Sequence, residues 1–378
     1  SFVQGGLRNL SITRTTIRWG IPVPGEAPHV FYVWFDALIG YLSAVGGPDY
    51  AQRDLWPADL HIVGKEIIRF HAVYWPAFLM AADLPLPRQI WAHGWLLFDS
   101  EKMSKSRGNV VRPRPIVNVL GIEPLRYYLL REIVFGQDGS FSYDALVSRY
   151  NSDLANGLGN LASRTLTMID RYFGGEIPPP SLDPGKDRSV SGTADFACEA
   201  LSRITQLYER LAFSLALEAI WEMIATIDKY LTVEKPWTLA DKPENRERLG
   251  KVLYTAAEGL RMIAALAHPV LPHSTEKVWR QLGQAEPLGD VQLDLLAWGQ
   301  LVPGTRIGKP EGIFPRVDKS ETIERIEAME QEQNKPAAAP AVAPVAAAAT
   351  PPTGSGAASA APAVAEPASG STKIGIED

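Results

Sequence analysis

Hydrophobic and polar positions fall into two textures along the chain. Over the first third, short apolar runs rich in β-formers are separated by polar turns. From Glu123 to about Gly283, apolar positions recur at helical spacing instead. Val30-Phe31-Tyr32-Val33-Trp34-Phe35, Leu60-His61-Ile62-Val63 and Gln89-Ile90-Trp91-Ala92-His93 read as strands. Between the last two, Ile67, Phe70, Val73, Tyr74, Ala77 and Phe78 mark a helix over Glu66 to Ala82, with Pro76 expected to kink it. Strand, helix, strand in that order predicts a crossover unit of a parallel sheet.

In the helical texture, Leu201, Ile204, Leu207, Tyr208, Leu211, Leu215 and Ile220 form a sustained stripe between Phe196 and Tyr230. Leu249 to Ala267 repeats it, Pro269 and Pro272 punctuate the next turn, and Gly174 to Gly185 reads as loop. Asp318 to Gln333 reads as a charged helix. Residues 336–372 hold sixteen alanines, no aromatics and one charge, Glu366. Such a composition cannot bury enough apolar surface to offset chain entropy, so it reads as a disordered linker. The expected organisation is α/β over 1–138, a helical bundle over 139–333, a disordered Ala/Pro linker over 334–372 and the opening of another ordered segment at 373–378.

Composition narrows the function classes. With 46% hydrophobic and 21% charged residues the chain resembles ordinary globular proteins. A net charge of −6 argues against gripping nucleic acid by bulk charge, so any such contact must come from local residues. A single cysteine, Cys198, excludes an internal disulfide framework or an all-cysteine zinc knuckle in these residues. No apolar run is long enough to span a bilayer and no leader pattern opens the chain, so a cytoplasmic location without membrane contact is expected. Ser1 is not Met, and both ends read as cut from a longer sequence.

The strongest chemical signal is Lys102-Met103-Ser104-Lys105-Ser106. Two lysines three apart on a short loop suit a displaced polyphosphate, because their ammonium groups meet charge developing on the leaving group. The pentamer is identical to the second signature of class I aminoacyl-tRNA synthetases, and it follows a predicted strand just ahead of the helical region. Upstream, Tyr32-Val33-Trp34-Phe35-Asp36-Ala37-Leu38-Ile39-Gly40-Tyr41 and Ile62-Val63-Gly64-Lys65-Glu66-Ile67-Ile68-Arg69-Phe70-His71 resemble the methionine-pocket segments of methionyl-tRNA synthetases. A long thioether favours aromatic contacts and weakly accepts a hydrogen bond. In that resemblance Trp34 is the aromatic wall, Ala37 and Leu38 the floor, and Ile67 an aliphatic side. Tyr41 and His71 would offer an O–H and an N–H near the sulfur. Taken singly, these aromatics could equally be core residues.

The resemblance implies the C-terminal half of a Rossmann-type catalytic domain, with Lys102 and Lys105 catalytic. Gly64, Glu66, His93, Gly94 and Lys105 would lie on ATP, which enters with Mg2+; relatives often carry Asp at the position of Glu66. Gly159-Asn160-Leu161-Ala162-Ser163-Arg164 resembles the family's anticodon reader, with Asn160 and Arg164 on one helix face and Trp237 as a stacking platform. Arg14-Thr15-Thr16, Phe135-Gly136-Gln137-Asp138-Gly139 and Phe314-Pro315-Arg316-Val317-Asp318 match the family without an assigned role. Ile374-Gly375-Ile376-Glu377-Asp378 resembles the first strand of an OB-fold tRNA-binding domain, through which relatives dimerise.

The implied activity is ATP-dependent activation of methionine and its transfer to tRNA(Met). The His-Ile-Gly-His-type first motif of class I synthetases does not occur here, nor does a connective domain with a zinc knuckle. Within this chain no metal ligands are expected, zinc would belong to the missing N-terminal part, and these residues alone are expected not to turn over. The competing readings are a class I synthetase for Leu, Val, Ile or Cys, and a non-catalytic tRNA-binding protein derived from one.

Overall fold

The computed structural model describes residues 2–46, 55–98, 101–103, 110–180 and 188–334; at 101–102, 188–191 and 333–334 it describes the backbone alone. Residues 334–378 were expected to form the linker and the opening of an OB-fold. All but Asn334 of that stretch lies outside the described residues. Two compact units emerge, one from Ser1–His61 and Glu66–Ile90, the other from Ile62–Lys65 and Trp91–Asn334.

In the first unit, β1 (Thr13–Arg14) pairs antiparallel with β2 (Val30–Phe31). Helix α1 (Val33–Ala44) starts two residues after β2. The expected strand over residues 30–35 is therefore corrected: it ends at Phe31, and Val33, Trp34 and Phe35 are helical. An unbroken apolar run does not distinguish strand from helix, and the spacing of Trp34, Leu38 and Tyr41 is that of a helix face. Strand β3 (His61–Gly64) leads into a 3-10 turn at Lys65–Ile67, a π-turn at Phe70–Tyr74 and α2 (Trp75–Ala81). Pro76 has no N–H for the helical ladder, and the disruption takes the form of this widened turn directly ahead of it. Leu38, Trp75 and Leu79, each 1% exposed, form the core of the unit with Trp56.

In the second unit, the residues of β3 beyond His61 pair with those of β4 (Ile90–His93) beyond Ile90. A second sheet has the order β6-β5-β7, built from β5 (Leu96–Phe98), β6 (Glu101–Lys102) and β7 (Gly139–Phe141). There β5 runs parallel to β7, with Leu97 opposite Ser140, and antiparallel to β6. Helices α3 (Pro113–Leu120), α4 (Ile122–Glu132) and α5 (Tyr143–Arg149) cover this sheet through Ile116, Leu125, Tyr128 and Leu146.

A ten-residue π-helix, Tyr150–Gly159, then runs directly into α6 (Asn160–Phe173). Its wide turns are tied from outside. The Trp221 indole N–H donates to the Asp153 carbonyl at 3.0 Å, Tyr150 O–H donates to Pro315 O at 2.7 Å, and Asn151 exchanges two bonds with Val317. The unassigned Phe314–Asp318 phrase thus serves as a brace for the π-helix. Gly174, with φ +62°, ends α6 in the left-handed region that glycine tolerates.

The apolar stripe of residues 196–230 is divided between α7 (Arg188–Glu209) and α8 (Phe213–Glu234), broken at Leu211, whose φ is +54°. Lys235, also left-handed, closes α8 before Pro236 opens the short α9 (Pro236–Leu239). The bundle is completed by α10 (Arg246–Ala267) and α11 (Pro272–Gln281). Buried Glu258 on α10 accepts from Arg261 and from the N–H groups of Gly299, Gln300 and Leu301, so its charge is fully met. The charged α12 (Lys319–Asn334) packs on α3 and α5, with Ile326 fully buried.

Candidate functional site

The expected amino-acid pocket falls within the first unit. Positions 34, 37, 38 and 41 of α1 lie at helical spacing, and Ile67 and His71 follow on the turns after β3. Trp34 stacks on Phe70 with ring centroids 4.0 Å apart and planes 9° apart, and it meets His71 edge-on at 6.4 Å. Tyr41 lies edge-on to the same imidazole, its hydroxyl 2.8 Å from His71 Nε2. On the other side of that ring, Nδ1 is 3.0 Å from the Ile67 carbonyl. Leu38 sits beneath as a core residue, whereas Ala37 is exposed.

A carbonyl can only accept, so His71 Nδ1 carries the hydrogen toward Ile67. With the ring neutral, Nε2 is a lone pair and Tyr41 O–H donates to it. In this ligand-free arrangement the Tyr41 hydroxyl and the His71 imidazole meet each other, so an O–H offered to a thioether would be exchanged from the Tyr41–His71 bond. Both protons are committed to protein partners, because a buried imidazole left unsatisfied would cost more than the bonds contribute. Burial raises the Tyr41 pKa, which keeps the hydroxyl protonated.

The residues expected on ATP divide between the units: Glu66, exposed, in the first, and Gly64, His93 and Gly94 in the second. Gly94 has a packing reason to be glycine, since a Cβ there would fall 2.1 Å from the Gln137 carbonyl oxygen. His93 turns its Nδ1–H onto the Gly94 carbonyl at 2.8 Å. Two residues absent from the sequence-based set join them. Asp138 accepts from Lys65 Nζ at 2.5 and 2.6 Å and from the Trp95 N–H at 2.8 Å, while Lys65 lies 4.2 Å from the Trp95 ring centroid. The Lys65 bond, followed by that of Trp95, holds the Asp138 carboxyl below the usual carboxylate range. The signal was present in Phe135–Gly139, but its partner is 73 residues away. An apolar cavity of about 170 Å3 lies beside this turn, lined by Trp95, Leu129, Ile133, Phe135 and Phe213 among others. Lys105 lies outside the described residues, and for Lys102 only the backbone, in β6, is described.

On the bundle, Asn160 and Arg164 both lie on the first turns of α6, Asn160 exposed and Arg164 half-buried. Arg164 forms an ion pair with Asp228 of α8, and its guanidinium stands 5.8 Å from the ring centroid of Trp237, which is 41% exposed. Asp228, also missed from the sequence, belongs to this constellation. Among the described residues no group of three His, Cys, Asp or Glu could hold a metal ion, and no helix is long and apolar enough to cross a membrane.

This arrangement has known counterparts. The family model for class I tRNA synthetases (M) matches residues 1–166, and that for the anticodon-binding domain of tRNA ligases matches 197–329. Methionine–tRNA ligase of Caldanaerobacter subterraneus subsp. tengcongensis is 44% identical over 338 residues, covering 89% of this chain and 52% of that protein. The Mycobacterium tuberculosis H37Rv enzyme of the same name is 48% identical over 322 residues, covering 84% and 61%. In solved structures, M. tuberculosis methionyl-tRNA synthetase in complex with methionyl-adenylate superposes with a TM-score of 0.76 at 46% identity, over 83% of this chain and 62% of that one. Its apo form gives 0.74 at 44% identity, over 84% and 62%. The chain belongs to the class I tRNA synthetases, and within them to the methionine–tRNA ligase family. It spans between about half and three fifths of the length of these curated relatives.

Proposed function

We propose that this protein activates methionine with ATP and transfers it to tRNA(Met). The observation that carries the reading is the Trp34, Tyr41 and His71 arrangement: an aromatic wall and a neutral, hydrogen-bonded edge suited to a long thioether side chain. In the first step a methionine carboxylate oxygen attacks the α-phosphorus of ATP, and the bond to the β-phosphate oxygen breaks. The products are methionyl-adenylate and pyrophosphate. Lys102 and Lys105 supply positive charge to the departing pyrophosphate, with Mg2+ entering on the nucleotide. Gly64, Glu66, His93 and Gly94 hold the nucleotide, and Lys65 with Asp138 keeps the His93-Gly94-Trp95 turn in place. A ribose hydroxyl at the tRNA 3′ end then attacks the acyl carbon and releases AMP. Asn160, Arg164 and Trp237 read the anticodon, where bases splayed from a loop are stacked and hydrogen-bonded. The same reading includes a cytoplasmic location and a homodimer formed through a C-terminal tRNA-binding module.

Methionine-dependent exchange of labelled pyrophosphate into ATP, followed by charging of tRNA(Met), tests this in the full-length protein. Exchange with methionine, and none with leucine, valine, isoleucine or cysteine, is the expected result. Exchange driven by one of those others, or tRNA binding with no exchange at all, would overturn it.

A further inference from the structure

His61 has no task in the reaction above, yet it is 7% exposed and stands against Tyr41. It opens β3, where its backbone N–H donates to Gln89 O at 2.9 Å. Its ring packs on the Tyr41 ring with centroids 4.5 Å apart and planes 42° apart, and lies 6.2 Å from His71. Trp75, 1% exposed, donates its indole N–H to His61 Nε2 at 3.3 Å. Trp56 closes another side at 6.1 Å and is itself fixed by donating to the Pro85 carbonyl at 3.0 Å.

An indole nitrogen can only donate, so His61 Nε2 holds a lone pair and the proton sits on Nδ1. Burial, then the charge His71 would bring nearby, pushes the His61 pKa down and keeps the ring neutral. A phenylalanine would fill similar space but leave the buried Trp75 N–H unpaired. Tyr41 is only half-buried, and a small rotation about χ1 would carry its hydroxyl away from His71 Nε2. Besides His71, two rings among the described residues pack on Tyr41, His61 at 4.5 Å and Trp75 at 6.0 Å, and the nearer, His61, is placed to set it.

We propose that His61 is a positioning residue of the amino-acid pocket: locked by Trp75 in one tautomer, it sets the Tyr41 ring so that its hydroxyl meets His71. The proposal rests on reading Trp34, Tyr41 and His71 as the methionine site.

The test is a double-mutant cycle read by methionine-dependent pyrophosphate exchange in the full-length protein. His61→Phe is expected to raise the KM for methionine about tenfold, with kcat and the KM for ATP within about twofold of the unmodified protein. His61→Gln, whose carbonyl replaces the Nε2 acceptor, stays within about threefold. Because His61 acts through Tyr41, adding His61→Phe to Tyr41→Phe changes the KM for methionine by less than about twofold further. Multiplicative effects, an unaffected His61→Phe, or equal changes in both KM values would overturn the proposal. Should His61→Phe melt below the assay temperature, His61→Asn takes its place in the cycle with the same expected outcome, since its shorter amide leaves Trp75 unpaired. An unmodified protein without methionine-dependent exchange defeats the functional reading itself. Normal exchange with an inert His61 defeats only this inference.

Discussion

Tyr41 and His71 meet through a neutral hydrogen bond among buried and half-buried aromatics, whereas Arg164 meets Asp228 as an ion pair on a partly exposed helix face. In the first case the imidazole is held by a carbonyl on one side and the Tyr41 hydroxyl on the other. In the second, side chains 29% and 40% exposed hold each other in competition with water, and such pairs contribute little net stability. The difference suits two kinds of ligand. A small side chain is selected by a shape that does not yield, while a nucleic-acid base requires groups that give up their partner readily. Asp228 holds Arg164 beside Trp237, and under the proposed function a base would take its place.

The largest expected effect is at the exposed surface. Trp237→Ala should lower kcat/KM for tRNA charging by about 10- to 100-fold, the value of one lost base stack, and leave methionine-dependent exchange unchanged. A fall in exchange as well would break the distinction between the two surfaces. Next, Tyr41→Phe should raise the KM for methionine about tenfold, since it leaves His71 Nε2 buried without its donor. Steady-state exchange kinetics at varied methionine would show it, and an unchanged KM would mean the bond is dispensable.

Asp138→Asn should act more weakly, raising the KM for ATP about threefold at low salt and less as salt is added, because the Lys65 pair is half-exposed. A change insensitive to salt would point to the Trp95 bond instead. The smallest effect is on stability in acid. The His61 and His268 pKa values are depressed chiefly by burial. The stability they contribute is present above the ordinary imidazole value and lost as pH falls through it toward the folded value. The unfolding free energy should therefore decline below about pH 6.5, by at most about 1.4 kcal/mol per pH unit for each histidine, with melting temperature falling alongside. His61→Gln should flatten that decline; an unaltered slope would assign it to other groups.

Much of this was legible because it is local. Residues 61–64 and 90–93 announce strands by composition, residues 249–267 announce a helix by periodicity, and the separation of Asn160 and Arg164 places them on one helix face. What escaped needed a second dimension. Val33 begins a helix because Trp34, Leu38 and Tyr41 find one core, and the same letters in another context would extend β2. The break at Leu211 is invisible in a stripe that continues at the same period on both sides. Lys65 and Asp138 are unremarkable apart and 73 positions distant. Asp228 lies 64 residues from Arg164, on another helix. Proton placement at His61 and His71 could not be read from the chain at all, because it depends on which atoms face each ring nitrogen.

The committed protons of the Tyr41–His71 edge carry a chemical consequence. With the His71 hydrogen given to Ile67 and the Tyr41 hydrogen to His71, this edge presents the lone pairs of the Tyr41 oxygen rather than a free donor. Oxidation of a thioether to a sulfoxide adds a strong acceptor oxygen. Set against this edge, such an oxygen would lose water and meet no free hydrogen from Tyr41 or His71. Under the proposed function, the direction of these two hydrogen bonds would weigh against oxidised methionine.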